Sequence, residues 1–553
     1  MSQLFERHQA TLQSALDAIR TRGYWSAYPE VPSGKIYGET ARQEGTAAYQ
    51  ALLGRAFELS GHPGVAEAGA EVSPFGGELG IRYPGADADT LVAASKQAGK
   101  AWADTTIEER AGVCLEILSR LNRRSFEMAH AVMNTSGQAF PMAFQAGGPH
   151  AQDRALEAVA YAWEEMKRVP VQASWVKPLG KGQQIELDKH WKILPRGVSV
   201  VIGCQTFPTW NSYPGMFASL MTGNTVIAKP HPAAILPMAL TVAVARDVLR
   251  EQGFPADVVL LAAENPGGTL ARDLALHEDV ALIDFTGSGT FGQWLRTNAT
   301  TPWVFTEEAG VNSVVIGGTK DFAGMCDNLA FSLALYSGQM CTTPQNLFIP
   351  RDGIDTSEGK KSFDEVANGL ADAVDRLLAD PARAGMVAGA IGNPDTLARI
   401  EKARQMGRVI RESAALPEAG KARTATPLLV AVDVGDTSVY GEECFGPIAY
   451  LVAVKDVEEG IHRAASLAAG KGAITAALYD TNEGRIADAI GAFASAGVNL
   501  SINLLGGIYV NQSAAFSDFH VTGANPAGNA SFTDSAFVAN RFRVVMWRRL
   551  VQG

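Results

Sequence analysis

The sequence predicts an α/β protein whose parallel sheets are covered by helices on both faces. From Trp191 onward, short, wholly apolar runs alternate with segments of helical period, the pattern of buried parallel strands joined by crossover helices. A second block of the same texture runs from about Val311 to Asn503. A tail rich in β-forming residues, GGIYVNQSAAFSDFHVTG and FRVVMWRRL, reads as strands able to pair with another subunit.

Taken in order, residues 1–75 read as a helical extension, with Leu12, Leu16 and Ile19 at helical spacing. A Gly/Pro-rich run follows at Ser60–Pro84. Thr106 and Glu109 form a capping-box pattern that opens a helix to Arg124, with Cys114, Ile117, Leu118 and Leu121 on one face, so Cys114 reads as core. WKILPRGVSVVIG reads as strand, turn, strand. TVIAKPHP, Val258–Ala263 and Val280–Ser288 are further buried strands, with a helix at Ala239–Gln252. SVVIGG, NLFIP and AITAALYD are the strands of the second block.

A chain of 553 residues forms roughly two to four domains. Its net charge of −11, without a long basic run, argues against nucleic acid as a partner. The five cysteines are odd in number and none lies in a CxxC pair, which argues against a disulfide framework or a metal site and for a reducing compartment. The charged N-terminus is no signal peptide, and no apolar run approaches the roughly 18 residues of a membrane span. The cytoplasm is the expected location.

Three segments carry chemistry. In YSGQMCTTPQN, Cys341 sits among small residues that let a carbonyl approach, and a helix starting near it would favour the thiolate and present N–H groups to an oxyanion. A buried, inert thiol is the alternative. In FTEEAGVNSVVI, Glu307 and Glu308 lead into an apolar strand; either a general base or a solvated acidic turn fits. In FTGSGTFGQWL a strand turns through Gly287 into a helix containing Gly292, the way a pyrophosphate meets a helix N-terminus, though without G-x-G-x-x-G spacing.

In this order, and with TVIAKPHP and YGEECFGPIAYL, these segments resemble the aldehyde dehydrogenase superfamily over about residues 85–535. The resemblance implies a Rossmann-type cofactor domain (76–175 and 195–309), an αβ catalytic domain (310–507) and a β oligomerisation extension (176–194 and 508–553). It implies Cys341 as nucleophile and Glu307 as the base that activates water. Lys229, Phe285, Gly287, Ser288 and Gly292 would bind the cofactor, with Glu443 and Phe445 at the nicotinamide ribose. Glu308 stands where the family has leucine and reads as a structural or tuning residue. Matching FP with FP in CQTFPTWNSYP puts Thr206 at the family's oxyanion asparagine, with Asn211 expected on the following helix.

Where NAD-specific members carry glutamate, this chain has Pro232, so NADP is expected over NAD, with His231 either assisting or simply an exposed turn residue. TFPTWNSYPG, TEEAGVNS and SGQMCTTPQN look most like the PaaN-type enzymes of bacterial phenylacetate degradation. The implied substrate is a CoA-linked semialdehyde, 3-oxo-5,6-dehydrosuberyl-CoA semialdehyde. The chain stops at Gly553 without room for a hydratase domain, so ring hydrolysis is expected of a separate enoyl-CoA hydratase. Arg541, Arg543, Arg548 and Arg549 are candidates for CoA phosphates, or else interface or solvated residues. A homodimer or homotetramer is expected. The alternatives are a CoA-acylating aldehyde dehydrogenase, which generally lacks the base glutamate, and a catalytically weakened binding relative.

Overall fold

The computed structural model describes residues 3–308, 310–417 and 419–551. Two sheets organise it. The first has five parallel strands in the spatial order Val259–Leu261, Thr225–Lys229, Val198–Ile202, Val280–Gly287, Trp303–Glu308. In chain order this is 3-2-1-4-5, a doubly wound sheet whose connections reverse between Val198–Ile202 and Val280–Gly287. A crevice opens outside the carboxyl ends of strands at such a reversal. Lys229, Gly287 and Glu307 all lie at those carboxyl ends.

The second sheet has seven strands in the order Arg408–Arg411, Leu428–Asp433, Ile448–Val454, Asn346–Pro350, Ser313–Ile316, Thr475–Tyr479, Asn499–Ile502. All are parallel except the antiparallel edge strand Arg408–Arg411. The predicted α/β class and its two blocks are therefore observed.

The capping box forms as read: the Thr106 hydroxyl accepts from Glu109 N–H, the Glu109 carboxylate accepts from Thr106 N–H, and the helix runs Ile107–Arg123 with Cys114 fully buried. Helix Gln3–Thr21 packs against that helix and against Ala151–Lys167, burying Leu4, Phe5, Leu12, Leu16 and Ile19 in the main core. The N-terminal extension is thus part of the core that packs on the first sheet.

Three strands, Gln172–Gly180, Gln183–Pro195 and Phe542–Leu550, form a separate antiparallel sheet that projects from the body. Only FRVVMWRRL, of the two tail segments read as strands, belongs to it. GGIYVNQSAAFSDFHVTG is irregular, because its polar side chains satisfy nearby backbone: Asp518 accepts from Ala514 N–H and Thr522 from Ala524 N–H. Among the described residues no helix is long and apolar enough to cross a membrane.

Candidate active site

Cys341 lies in the loop between helix Phe322–Ala334 and strand Asn346–Pro350. The helix ends in a tight turn, Leu335–Gly338, where Tyr336 and Ser337 take left-handed backbone angles (φ 53° and 49°). Such angles cost about 1–3 kcal/mol each and persist only where the surroundings enforce them. Here they do: Tyr336 Oη donates to Ser136 O at 2.6 Å, and Ser337 Oγ reaches Ala425 O at 2.9 Å. Gly338 is required as well, since a Cβ there would sit 2.4 Å from Gly446 O. The Asn312 side chain donates to the carbonyls of Cys341 (2.7 Å) and Thr343 (3.0 Å), fixing the far side of the loop.

No helix starts at Cys341, so the expected helix-terminus field is absent; a turn leads straight to the strand. Burial first, and then the neighbouring Glu307 carboxylate, raise the Cys341 thiol well above its ordinary pKa, while its own backbone N–H favours the thiolate. The resting sulfur is therefore a protonated thiol that needs a base.

Glu307 supplies a carboxylate at the end of strand Trp303–Glu308, 2% exposed. The tail loop clamps this strand: Glu308 N–H donates to Ala527 O, and Thr306 N–H to Asn529 Oδ1 at 2.7 Å. The Cys341 thiol points at Glu307 Oε1 from 3.7 Å. Asn211 Nδ2 donates to both carboxylate oxygens, at 3.1 and 3.0 Å, and His520 Nε2 lies 2.8 Å from Oε1. The donor atoms of Glu307, Cys341 and His520 all lie within 4.8 Å of one another. A thiol, a carboxylate and an amide donor thus converge from three distant parts of the chain.

Thr206 does not join them. Its hydroxyl faces Cys204 Sγ at 3.6 Å, and its carbonyl accepts from Gln138. Asn211, at the N-cap of helix Ser212–Met221, holds the position assigned to Thr206. The loop is longer than the matched FP motif allows, so the register shifts. The signal was TWNSYP, which keeps Trp, Asn and Pro around one extra residue. Sequence reading also passed over His520, which stands in an irregular tail segment without a recognisable motif.

Glu308 turns the other way. It is buried, pairs with Arg296, and lies against Gly292, where a Cβ would come within 2.3 Å of its carboxyl group. Gly292 is thus small to admit Glu308. The strand–turn–helix is present: Ser288 caps helix Gly289–Asn298 by accepting from Phe291 N–H, and Phe285 is buried against Phe291.

Lys229 is buried at the end of its strand, its Nζ 2.6 Å from Glu264 Oε1; burial lowers its pKa and Glu264 opposes that. Glu264 is in turn held by Leu270 N–H at 2.9 Å. This carboxylate beside Lys229 was invisible to a motif reading that looked only at position 232. His231 is exposed, with Nδ1 accepting from Ala233 N–H. Glu443 is exposed and Phe445 half-buried on a loop tied to the Cys341 loop by Gln345, which accepts from Cys444 N–H (2.6 Å) and donates to Glu442 O (3.0 Å).

A cavity of about 490 Å³ reaches Cys341. Its walls include Trp25 from the N-terminal extension, Phe207 and Trp210, with Asp153 and Arg154 from helix Ala151–Lys167. Asp153 accepts from Ser26 Oγ (2.6 Å) and Ala27 N–H (3.0 Å), so it fastens the extension over the cavity. Burial, opposed by these hydrogen bonds, raises its pKa to about 7.

Residues 68–511 match the model of the aldehyde dehydrogenase family. The crystal structure of an NAD-dependent aldehyde dehydrogenase from Burkholderia multivorans superposes with a TM-score of 0.98, at 53% identity over 100% of both chains. The 2-aminomuconic 6-semialdehyde dehydrogenase of Pseudomonas sp is 25% identical over 435 residues, 75% of this chain and 83% of that protein. The alpha-ketoglutaric semialdehyde dehydrogenase of Bacillus subtilis (strain 168) is 24% identical over 72% of this chain and 78% of that protein.

Proposed function

The chain belongs to the aldehyde dehydrogenase family, and from that premise we propose that it oxidises a CoA-linked semialdehyde to the carboxylic acid with NAD as hydride acceptor. The observation that carries this reading is the convergence of Cys341 Sγ and Glu307 Oε1, 3.7 Å apart, with Asn211 Nδ2 beside them.

The carboxylate takes the thiol proton as sulfur attacks the aldehyde carbon and hands it to the new oxygen, giving a neutral thiohemiacetal and leaving Glu307 ionised again. Asn211 Nδ2 is the side-chain donor available to the oxygen that gains charge. A bound NAD would supply the hydride acceptor; as the hydroxyl proton passes to solvent, the carbon is left as a Cys341 thioester. Glu307 then takes a proton from water, the water oxygen adds to the carbonyl, and collapse expels the Cys341 thiolate and releases the acid. A catalytically weakened relative is disfavoured by the presence of all three groups at one point.

The residues fit a dinucleotide. The strand order opens a crevice at the capped helix Gly289–Asn298, and the Lys229–Glu264 pair stands at the carboxyl edge of the neighbouring region of the same sheet. There Glu264 would accept from ribose hydroxyls and repel a 2′-phosphate. The absence of a carboxylate at Pro232 was the reason to expect NADP; Glu264 removes that reason and supports NAD. Glu443 and Phe445 would meet the nicotinamide side. In this reading residues 76–175 and 195–309 hold the cofactor and 310–507 the nucleophile.

The semialdehyde class is supported by relatives named for semialdehyde substrates. The CoA link and 3-oxo-5,6-dehydrosuberyl-CoA semialdehyde rest on the likeness of TFPTWNSYPG, TEEAGVNS and SGQMCTTPQN to the phenylacetate-degradation type. A cavity of about 490 Å³ suits a long acyl chain. Arg541 takes no part in CoA binding: it is fully buried against Asp284, with Nη1 2.8 Å from Oδ2.

Steady-state rates with this semialdehyde and with simple aliphatic aldehydes, using NAD and NADP, test the proposal. We expect at least about tenfold higher kcat/KM for the CoA-linked substrate and for NAD, a free acid as product with or without added CoA, and no turnover by Cys341→Ala. Preference for aliphatic aldehydes, or an acyl-CoA product, would overturn it.

A further inference from the structure

His520 stands at the reacting centre, and none of the chemistry described above requires it. It projects from the irregular tail loop and is 5% exposed. Its Nε2 lies 2.8 Å from Glu307 Oε1 and 3.8 Å from Cys341 Sγ. The Trp210 ring packs against it edge to face, with centroids 4.5 Å apart. On the other side Nδ1 meets Ser513 Oγ at 3.5 Å, and Arg154 Nη2 donates to that same hydroxyl oxygen at 2.9 Å. Arg154 is itself buried and paired with Glu157, Nη1 to Oε2 at 2.7 Å.

The 2.8 Å contact between Nε2 and Glu307 Oε1 calls for a hydrogen on Nε2, and the contacts behind the ring are compatible with that tautomer. Arg154 has only donors, so Ser513 Oγ accepts from it and is left free to turn its own hydrogen toward Nδ1. An imidazole that accepts at Nδ1 carries its proton on Nε2, and that proton points at Glu307 Oε1. The arrangement has the logic of a carboxylate and histidine oriented by groups behind them.

We propose that His520 is a positioning residue for the reaction: through Nε2–H it holds the Glu307 carboxylate toward Cys341, with Ser513 and Arg154 setting the ring. The charged and titratable groups around the pair are Cys341 and Cys204 from two loops and Arg154 with Glu157 from helix Ala151–Lys167. Each oxygen of Glu307 then has a donor. Without His520, Oε1 keeps only the shared Asn211 amide and the thiol, and the carboxylate becomes free to turn.

The proposal rests on Glu307 being the base, and the experiment separates the two. The full chain and the variants Glu307→Gln, His520→Ala, His520→Gln and Ser513→Ala are compared across pH for kcat, for kcat/KM, and for the first-turnover burst of reduced cofactor. We expect His520→Ala to lower kcat about 10- to 100-fold, within the range of acid–base support, and to leave the KM for cofactor within about twofold. The first-turnover rate should fall with kcat, because Glu307 serves both thiol deprotonation and hydrolysis. His520→Gln, whose amide nitrogen can take the Nε2 place, should restore most of the rate, and Ser513→Ala should lower kcat in the same sense by less.

A kcat within about twofold of the parent in His520→Ala, or equal losses in His520→Gln and His520→Ala, would overturn the positioning role. If His520→Ala does not fold, Ser513→Ala, which leaves the ring in place, decides by whether its kcat falls with the KM for cofactor unchanged. Full hydrolysis by Glu307→Gln would instead sink the base assignment itself, whatever the histidine variants do.

Discussion

Residues that were far apart in the motif list meet at one point, and the side chain that distinguishes the readings is Asn211. Its Nδ2 bridges both oxygens of Glu307, whereas the Thr206 hydroxyl faces Cys204. Asn211→Ala should therefore lower kcat by roughly 10²–10³, the cost of removing one oxyanion donor. Thr206→Ala should stay within about threefold, since its hydroxyl makes only a weak contact to sulfur. Single-turnover rates of the two variants side by side check this; equal losses would return the role to Thr206. Cys341 and Glu307 were legible in the sequence because their neighbours are constrained by strand and turn. Asn211, Glu264 and His520 were not, because loop length or an irregular path, rather than local pattern, carries each to its place.

At the scale of elements, the loop Trp25–Tyr28 is held to helix Ala151–Lys167 by Asp153, a carboxyl whose pKa burial raises from 3.8 to about 7. The folded state binds this proton more tightly than the unfolded chain. Its contribution is fully present below about pH 4 and is lost as pH rises toward 7. The lost amount is on the order of 4 kcal/mol. Asp153→Asn, which imitates the protonated form, should melt several degrees above the parent at pH 8.5, and the gap should close by pH 4.5. Thermal melts at the two pH values measure it; a gap of the same size at both would refute the assignment. The capping box at Thr106 and Glu109 was readable because it needs only residues three apart. The tail from Gly506 to Gly523 does not form the expected strand, because its β-forming residues are overruled by side-chain bonds to nearby backbone.

For the whole molecule, the projecting sheet leaves Trp175, Val176, Val544, Met546 and Trp547 between 38% and 51% exposed. An apolar patch of this kind marks an interaction site, and with an open edge it can pair with a second copy. This supports the homodimer or homotetramer read from the sequence. Val544→Glu with Met546→Glu, which lie on one face of the strand, should reduce the mass seen by light scattering to that of a single chain. An unchanged mass would place the interface elsewhere. The sequence by itself determined the α/β class and the parallel strands, and it singled out Cys341 and Glu307, because hydrophobic period and strand–turn chemistry are local. The tertiary structure alone decided which amide reaches the Glu307 carboxylate, which acid stands by Lys229, and that a tail histidine touches Glu307. Those depend on where loops of different length return across the sheets, and no short-range pattern encodes that distance.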